Sequence, residues 1–242
     1  TGEFPFLDER QRAAAIEAAV EAVNGRVPVI AGVSAVGTRA AIAHARRAQA
    51  AGADFVIATV PYFGSSALDQ SWIEAHIRAI AEETGAQTML YNVPTILHDV
   101  EPATIERLAA LPNVVGMKDS ASIIHVQDGV FRTRRTGFRV LAGVEYHGVA
   151  ALLVGAHEAT PSPGNLIPGR YVEMYERTRA GDVEGALAIQ EETNRFVDVF
   201  DALPAWTPAL KEALNLMGIC GPTAAAPMPK PTLEEIELIW AH

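Results

Sequence analysis

Lysine is scarce in this 242-residue chain, three residues against sixteen arginines, and one of the three, Lys118, has a setting unlike the others. It follows the apolar run Val114-Val115-Gly116-Met117 and precedes Asp119-Ser120. A short apolar run bounded by turn formers, here Pro112-Asn113 before it and Ser120-Ala121-Ser122 after it, has the pattern of a strand buried on both faces. Lys118 then stands where a buried strand ends. Desolvation works against the ammonium form of a lysine, and a neutral amine attacks carbonyls to give a Schiff base. Lys211 and Lys230 fall instead in an amphipathic helix and a proline-rich tail. The competing reading is that Lys118 only lays its stem on apolar neighbours and keeps its charge in water.

A second candidate has the same placement. Tyr91 follows Gln87-Thr88-Met89-Leu90 as Lys118 follows its own apolar run. Neighbouring strands lie ~4.8 Å apart, so a phenol and an amine at equal depth can meet at the carboxyl edge of a sheet, where α/β enzymes place their sites. Alone, Tyr91 reads as a core tyrosine with a satisfied hydroxyl. Glu145 follows Gly143-Val144, and a carboxylate there repels phosphate but accepts hydrogen bonds from hydroxyls; a solvated loop glutamate is the alternative. Thr1-Gly2-Glu3 precedes a helical segment and offers backbone N–H groups and a hydroxyl to a carboxylate.

Other chemistries find less support. Gly32-Val33-Ser34-Ala35-Val36-Gly37-Thr38 has the glycine spacing of a phosphate loop, but Thr38 stands where that loop needs lysine. Val36 likewise takes the closing glycine of a G-x-S-x-G elbow around Ser34. No H-E-x-x-H pair occurs among seven histidines, and His44, His76 and His125 fall inside helical patterns as solvated or satisfied side chains. The single cysteine, Cys220, excludes an intramolecular disulfide and fits a reducing compartment. The net charge of -10 argues against nucleic acid, and Arg132, Arg134 and Arg135 read as a helix end. With no run of eighteen apolar residues, a soluble, cytoplasmic chain without a membrane partner is expected.

These residues need a scaffold, and the pattern supplies one. Strands are expected at 27–31, 54–60, 87–92, up to Lys118, 139–143 and 158–160. Helices alternate with them, one capped by Asp8 and another by Thr38, one marked by Ile73, Ile77 and Ile80, one begun by Pro102 and one opened by Ser122, with a short one from His147. Six repeats of strand, loop and helix imply an α/β fold with a parallel sheet, either open and doubly wound or closed as a barrel. The remainder reads as helices around Tyr171, Phe196, Leu210 and Ile236. A single domain is expected, with 1–166 as its βα portion and 167–242 as further helices.

Thr1-Gly2-Glu3, Pro61-Tyr62, Tyr91-Asn92-Val93-Pro94 and Gly116-Met117-Lys118-Asp119-Ser120, in this order, resemble the dihydrodipicolinate synthase and N-acetylneuraminate lyase family. The resemblance implies a (β/α)8 TIM barrel with extra C-terminal helices, assembled as a homotetramer or dimer. It aligns the six strands with the third to eighth of that barrel, so that two βα units would precede Thr1. Residue by residue, it makes Lys118 the Schiff-base lysine for pyruvate, Tyr91 the acid/base phenol, and Thr1 and Gly2 part of a carboxylate site. Tyr62, Ser120, Gly143, Glu145 and Ser162 join as substrate-binding residues, with no metal and no cofactor beyond the imine.

Two departures bear on the substrate. Ile96 stands where dihydrodipicolinate synthases place an arginine for the second substrate's carboxylate, and Phe63 occupies a relay tyrosine position. Glu145, Ser162 and Ser120 fall near positions that sugar-cleaving members use for hydroxyls. The expectation is therefore a class I lyase that joins pyruvate to a small aldehyde, or cleaves a 2-keto-3-deoxy sugar acid or related 4-hydroxy-2-oxo acid. Dihydrodipicolinate synthase itself is the alternative, and a non-catalytic 2-oxo acid binding barrel the other.

Overall fold

The computed structural model describes residues 1–62 and 69–241, so Phe63 and the Gly64-Ser65-Ser66 run lie outside the described residues. Six parallel strands form one sheet in strict chain order: β1 (Ile30–Gly32), β2 (Phe55–Thr59), β3 (Thr88–Asn92), β4 (Val114–Asp119), β5 (Arg139–Ala142) and β6 (Glu158–Ala159). Between them run α1 (Glu9–Val23), before the first strand, then α2 (Thr38–Ala50), α3 (Gln70–Thr84), α4 (Pro102–Leu108), α5 (Ile123–Thr133) and the short α6 (Gly148–Leu153). This is the alternation expected from the sequence, and it makes the fold α/β with a parallel sheet.

The chain divides into two compact units. The sheet unit comprises Leu7–Gly143 and Val154–Glu158. Its core is apolar from both directions: Val56, Ala58, Leu90, Met117 and Val140 from the strands, and Ile73, Ile77, Ile80, Ile105 and Leu108 from the helices, all nearly inaccessible to water. The helical unit comprises Thr1–Phe6, Val144–Leu153 and Ala159–His242. There α7 (Pro168–Ala180), α8 (Val183–Asp201), α9 (Trp206–Leu216) and α10 (Leu233–Trp240) pack two clusters, one around Phe200, Leu210 and Ile239 and one around Val149, Met174 and Ile189. No described helix is long and apolar enough to cross a membrane.

Local chemistry explains the element boundaries and four departures from expectation. Asp8 caps α1 in a capping box with Gln11, and Asn24 ends that helix in the left-handed region. Thr38 is not the cap of α2: Gly37 holds that position, and the Thr38 hydroxyl instead meets His76 Nδ1 at 2.8 Å. The first strand begins at Ile30 rather than residue 27, because Asp54 N–H and Phe55 N–H both engage the carbonyl of Val29 and leave Val27 exposed. That strand is also not buried on both faces, since Ile30 is exposed and β1 ends the strand order. The segment from 145 opens as a 3-10 turn, Glu145–His147, before α6.

Candidate active site

Tyr91 and Lys118 are register partners across β3 and β4. In parallel strands, register partners project to the same face, so the two side chains share one side of the sheet near its carboxyl edge. The Lys118 Nζ lies 4.8 Å from the centroid of the Tyr91 ring, an ammonium over a ring face. Both residues are half-buried. Depth matching, inferred from the two apolar runs, thus places the pair in contact, but through the ring face.

Room for the lysine comes from a glycine just after the next strand. A Cβ on Gly143 would stand 2.2 Å from Ser120 Oγ and 2.8 Å from Lys118 Cε. A side chain there would have to displace both. Gly116 is required for a different reason, because a Cβ would meet the Arg139 carbonyl at 2.6 Å and push β5 off β4. Ser120 N–H donates to the Asn92 carbonyl at 2.9 Å and continues the ladder past Lys118, holding its hydroxyl beside Gly143 and the lysine stem.

Tyr62 follows β2 in the same unit and is half-buried. The nearby Arg12 guanidinium, which donates to the Ser34 carbonyl at 2.9 Å, is pushed below its ordinary value by burial and held back by Tyr62 and Glu9. The sequence reading missed Thr59. It pairs in register with Tyr91, is 2% exposed, and its hydroxyl meets no protein hydrogen-bond partner. Its signal lay in the chain, a polar residue at the end of an apolar strand, but only register shows that it neighbours the tyrosine.

The other expected residues belong to the helical unit. Thr1 and Gly2 are exposed ahead of a 3-10 turn, Phe4–Phe6. Glu3 has a left-handed backbone and is anchored by Lys211 Nζ at 2.9 Å and Ala225 N–H at 2.7 Å. Burial opposes its charge, but those two donors outweigh it and hold the carboxyl below its ordinary value. Glu145 Oε1 accepts from the Ser162 backbone N–H at 3.0 Å, so the two predicted hydroxyl-binding residues are tied to each other. Ile96 belongs instead to the sheet unit, in the loop after β3, and is 76% exposed.

The model of the dihydrodipicolinate synthetase family matches residues 1–238. The chain belongs to that family. A 4-hydroxy-tetrahydrodipicolinate synthase from Leptothrix cholodnii is 34% identical over 229 residues, covering 94% of this chain and 77% of the relative. Among solved structures, a dihydrodipicolinate synthase from Bacillus anthracis superposes with a TM-score of 0.92 at 29% identity, over 99% of this chain and 81% of that one. A prophage member of the family from E. coli K12, solved in complex with pyruvate, gives 0.93 at 26% identity over 99% and 82%. The family assignment made from the tyrosine and lysine motifs therefore stands on whole-chain similarity as well.

Proposed function

We propose that the chain is a lyase that binds pyruvate as a Schiff base on Lys118 and makes or breaks a carbon–carbon bond through the resulting enamine. The observation that carries this reading is the Tyr91–Lys118 register pair, with Gly143 leaving space along the lysine stem. Lys118 Nζ attacks the pyruvate carbonyl carbon and water leaves, forming the imine. Loss of a methyl proton gives the enamine, which attacks an aldehyde carbon while the aldehyde oxygen takes a proton from the Tyr91 phenol. Hydrolysis of the product imine frees the lysine. No metal or organic cofactor enters this sequence. We read the six strands as part of a (β/α)8 barrel, and homo-oligomeric assembly and a cytoplasmic location belong to the same reading.

For the second substrate, the named relatives support the 4-hydroxy-tetrahydrodipicolinate synthase reaction, with an amino-acid semialdehyde as the aldehyde. This displaces the sugar-acid reaction as the leading reading. A specific observation keeps cleavage of a 2-keto-3-deoxy sugar acid as the second: Ile96 offers no cation to a carboxylate. Glu145 favours it less than the sequence suggested, because one carboxylate oxygen is already engaged with Ser162.

Pyruvate with borohydride tests the first step. One reduced pyruvyl group on the Lys118 peptide is expected, and Lys118→Ala should abolish it while leaving a folded protein. A label on Lys211 or Lys230, or none, refutes the mechanism. Faster turnover of aspartate semialdehyde with pyruvate than of 2-keto-3-deoxy acids then selects the synthase, and the reverse order selects the sugar-acid lyase.

A further inference from the structure

Behind the Tyr91–Lys118 pair lies a closed polar network on the opposite face of the same two strands. Asn92 and Asp119, each the next residue, are register partners, and both are buried. The Asn92 amide is fully used: its two hydrogens go to Asp99 Oδ1 at 2.9 Å and Asp119 Oδ1 at 3.0 Å, and its oxygen accepts from Val100 N–H at 3.1 Å. Asp119 Oδ1 accepts in addition from Ala121 N–H at 3.1 Å.

His125, from α5, closes the network. Its Nδ1 lies 2.7 Å from Asp119 Oδ2, and its Nε2 lies 2.9 Å from the Val100 carbonyl and 3.6 Å from Asp99 Oδ1. A neutral imidazole donates from one nitrogen only, whereas a carbonyl oxygen can only accept. Satisfying both contacts therefore requires the His125–Asp119 pair to hold one proton more than a neutral imidazole beside a carboxylate. Among the described residues, the charged groups facing His125 are Asp119 from β4 and Asp99 from the loop after β3. Burial pushes the ring toward neutrality, but the hydrogen bond and charge of Asp119, with Asp99, raise it above the ordinary histidine value.

We infer that the protonated His125–Asp119 pair is a positioning clasp that pins the loop 93–100 against β4 and thereby sets the Tyr91 phenol against Lys118. This rests on the proposed lyase reading for its catalytic consequence. On losing its proton, the ring keeps Nδ1–H on Asp119 and turns the Nε2 lone pair toward the Val100 carbonyl, so that contact becomes repulsive. Val100 ends the loop that leaves β3 directly after Tyr91-Asn92, so the release is felt at the tyrosine. A group raised in the folded state stabilises the fold fully below its unfolded value, and that contribution is lost as pH rises through the folded one.

The test is a titration of the whole chain from about pH 5.5 to 9.5, following histidine and tyrosine ring resonances together with the rate of borohydride trapping. The His125 signal is assigned by its loss in His125→Gln, which keeps an amide donor but does not titrate. His125 should titrate above about 6.5, with the Tyr91 ring and the trapping rate following the same curve, the rate falling about 10-fold or more. In His125→Gln that step should vanish from both readouts. A His125 that titrates at or below the ordinary value, a Tyr91 ring that ignores its titration, or an unchanged trapping profile in the variant overturns the inference. A wild type that forms no imine at any pH refutes the lyase reading instead, and the two ring titrations still decide the clasp.

Discussion

Gly143→Ala isolates the geometry at the lysine more sharply than removal of the lysine itself. The added methyl would sit 2.2 Å from Ser120 Oγ, 2.8 Å from Lys118 Cε and 3.2 Å from Lys118 Cγ, all inside normal contact. The obstructing atoms are movable side chains, not backbone, so relief comes by displacing them. Relieving 2.8 Å to an ordinary carbon contact of about 3.6 Å moves the lysine stem by about 0.8 Å. Displacement of about 1 Å at a reacting group lowers rate by about 100-fold. Stability responds less: overpacking costs about 1–3 kcal/mol, offset by about 0.4–1 kcal/mol from the stiffer unfolded chain. At about 2–4 °C per kcal/mol for a chain of this size, Tm should fall by less than about 10 °C. Borohydride trapping at fixed pyruvate and thermal melting measure the two effects separately. A variant that traps pyruvate at the wild-type rate would show that Gly143 does not set the lysine position, and one that fails to fold would show that the strand backbone, not the side chains, meets the methyl.

Thr59→Val replaces a buried hydroxyl that lacks a protein partner by a methyl of the same shape, and should raise stability by about 1 kcal/mol, read as a higher Tm. A lower Tm would mean that the hydroxyl is satisfied in solution. Glu3→Gln removes the anion between Lys211 and Ala225 and should lower stability near neutral pH by roughly 1–3 kcal/mol. Because the Glu3 carboxyl is depressed, its contribution is present above the unfolded value of about 4.3 and is lost as pH falls through the lower folded one. Wild type and variant should therefore converge in urea midpoint toward pH 3, and a constant gap would refute the linkage.

Much of the sheet could be read from the chain because its strands are apolar runs and its helices carry strong caps, as at Asp8 and Ser122. The pairing of Tyr91 with Lys118 was legible from their places at the ends of two strands, although Thr88 rather than Gln87 faces Val114 and a register shift after Thr88 restores the match. What sequence could not supply was partner choice. Thr38 opens a helix where a cap was expected, yet its hydroxyl goes to His76, thirty-eight residues away. His125 looked like an ordinary helical histidine because Asp119 and the Val100 carbonyl reach it through three-dimensional packing. Glu145 and Ser162 meet, but their link is a carboxylate accepting a backbone N–H, which no residue type announces.

The strict order of the strands has a consequence for how the chain assembles. Each strand of the sheet pairs with the one made just before it, so every new βα segment leaving the ribosome finds its neighbour already present. The Glu3 anchor obeys the opposite rule. Its partners lie 208 and 222 residues downstream, and closing a loop of that length costs about 4–5 kcal/mol in chain entropy. Glu3 must therefore wait until Lys211 and Ala225 have been made before its partners exist. Until then the Glu3 carboxylate lacks both donors, and the anchor closes only after all six strands of the sheet have been made.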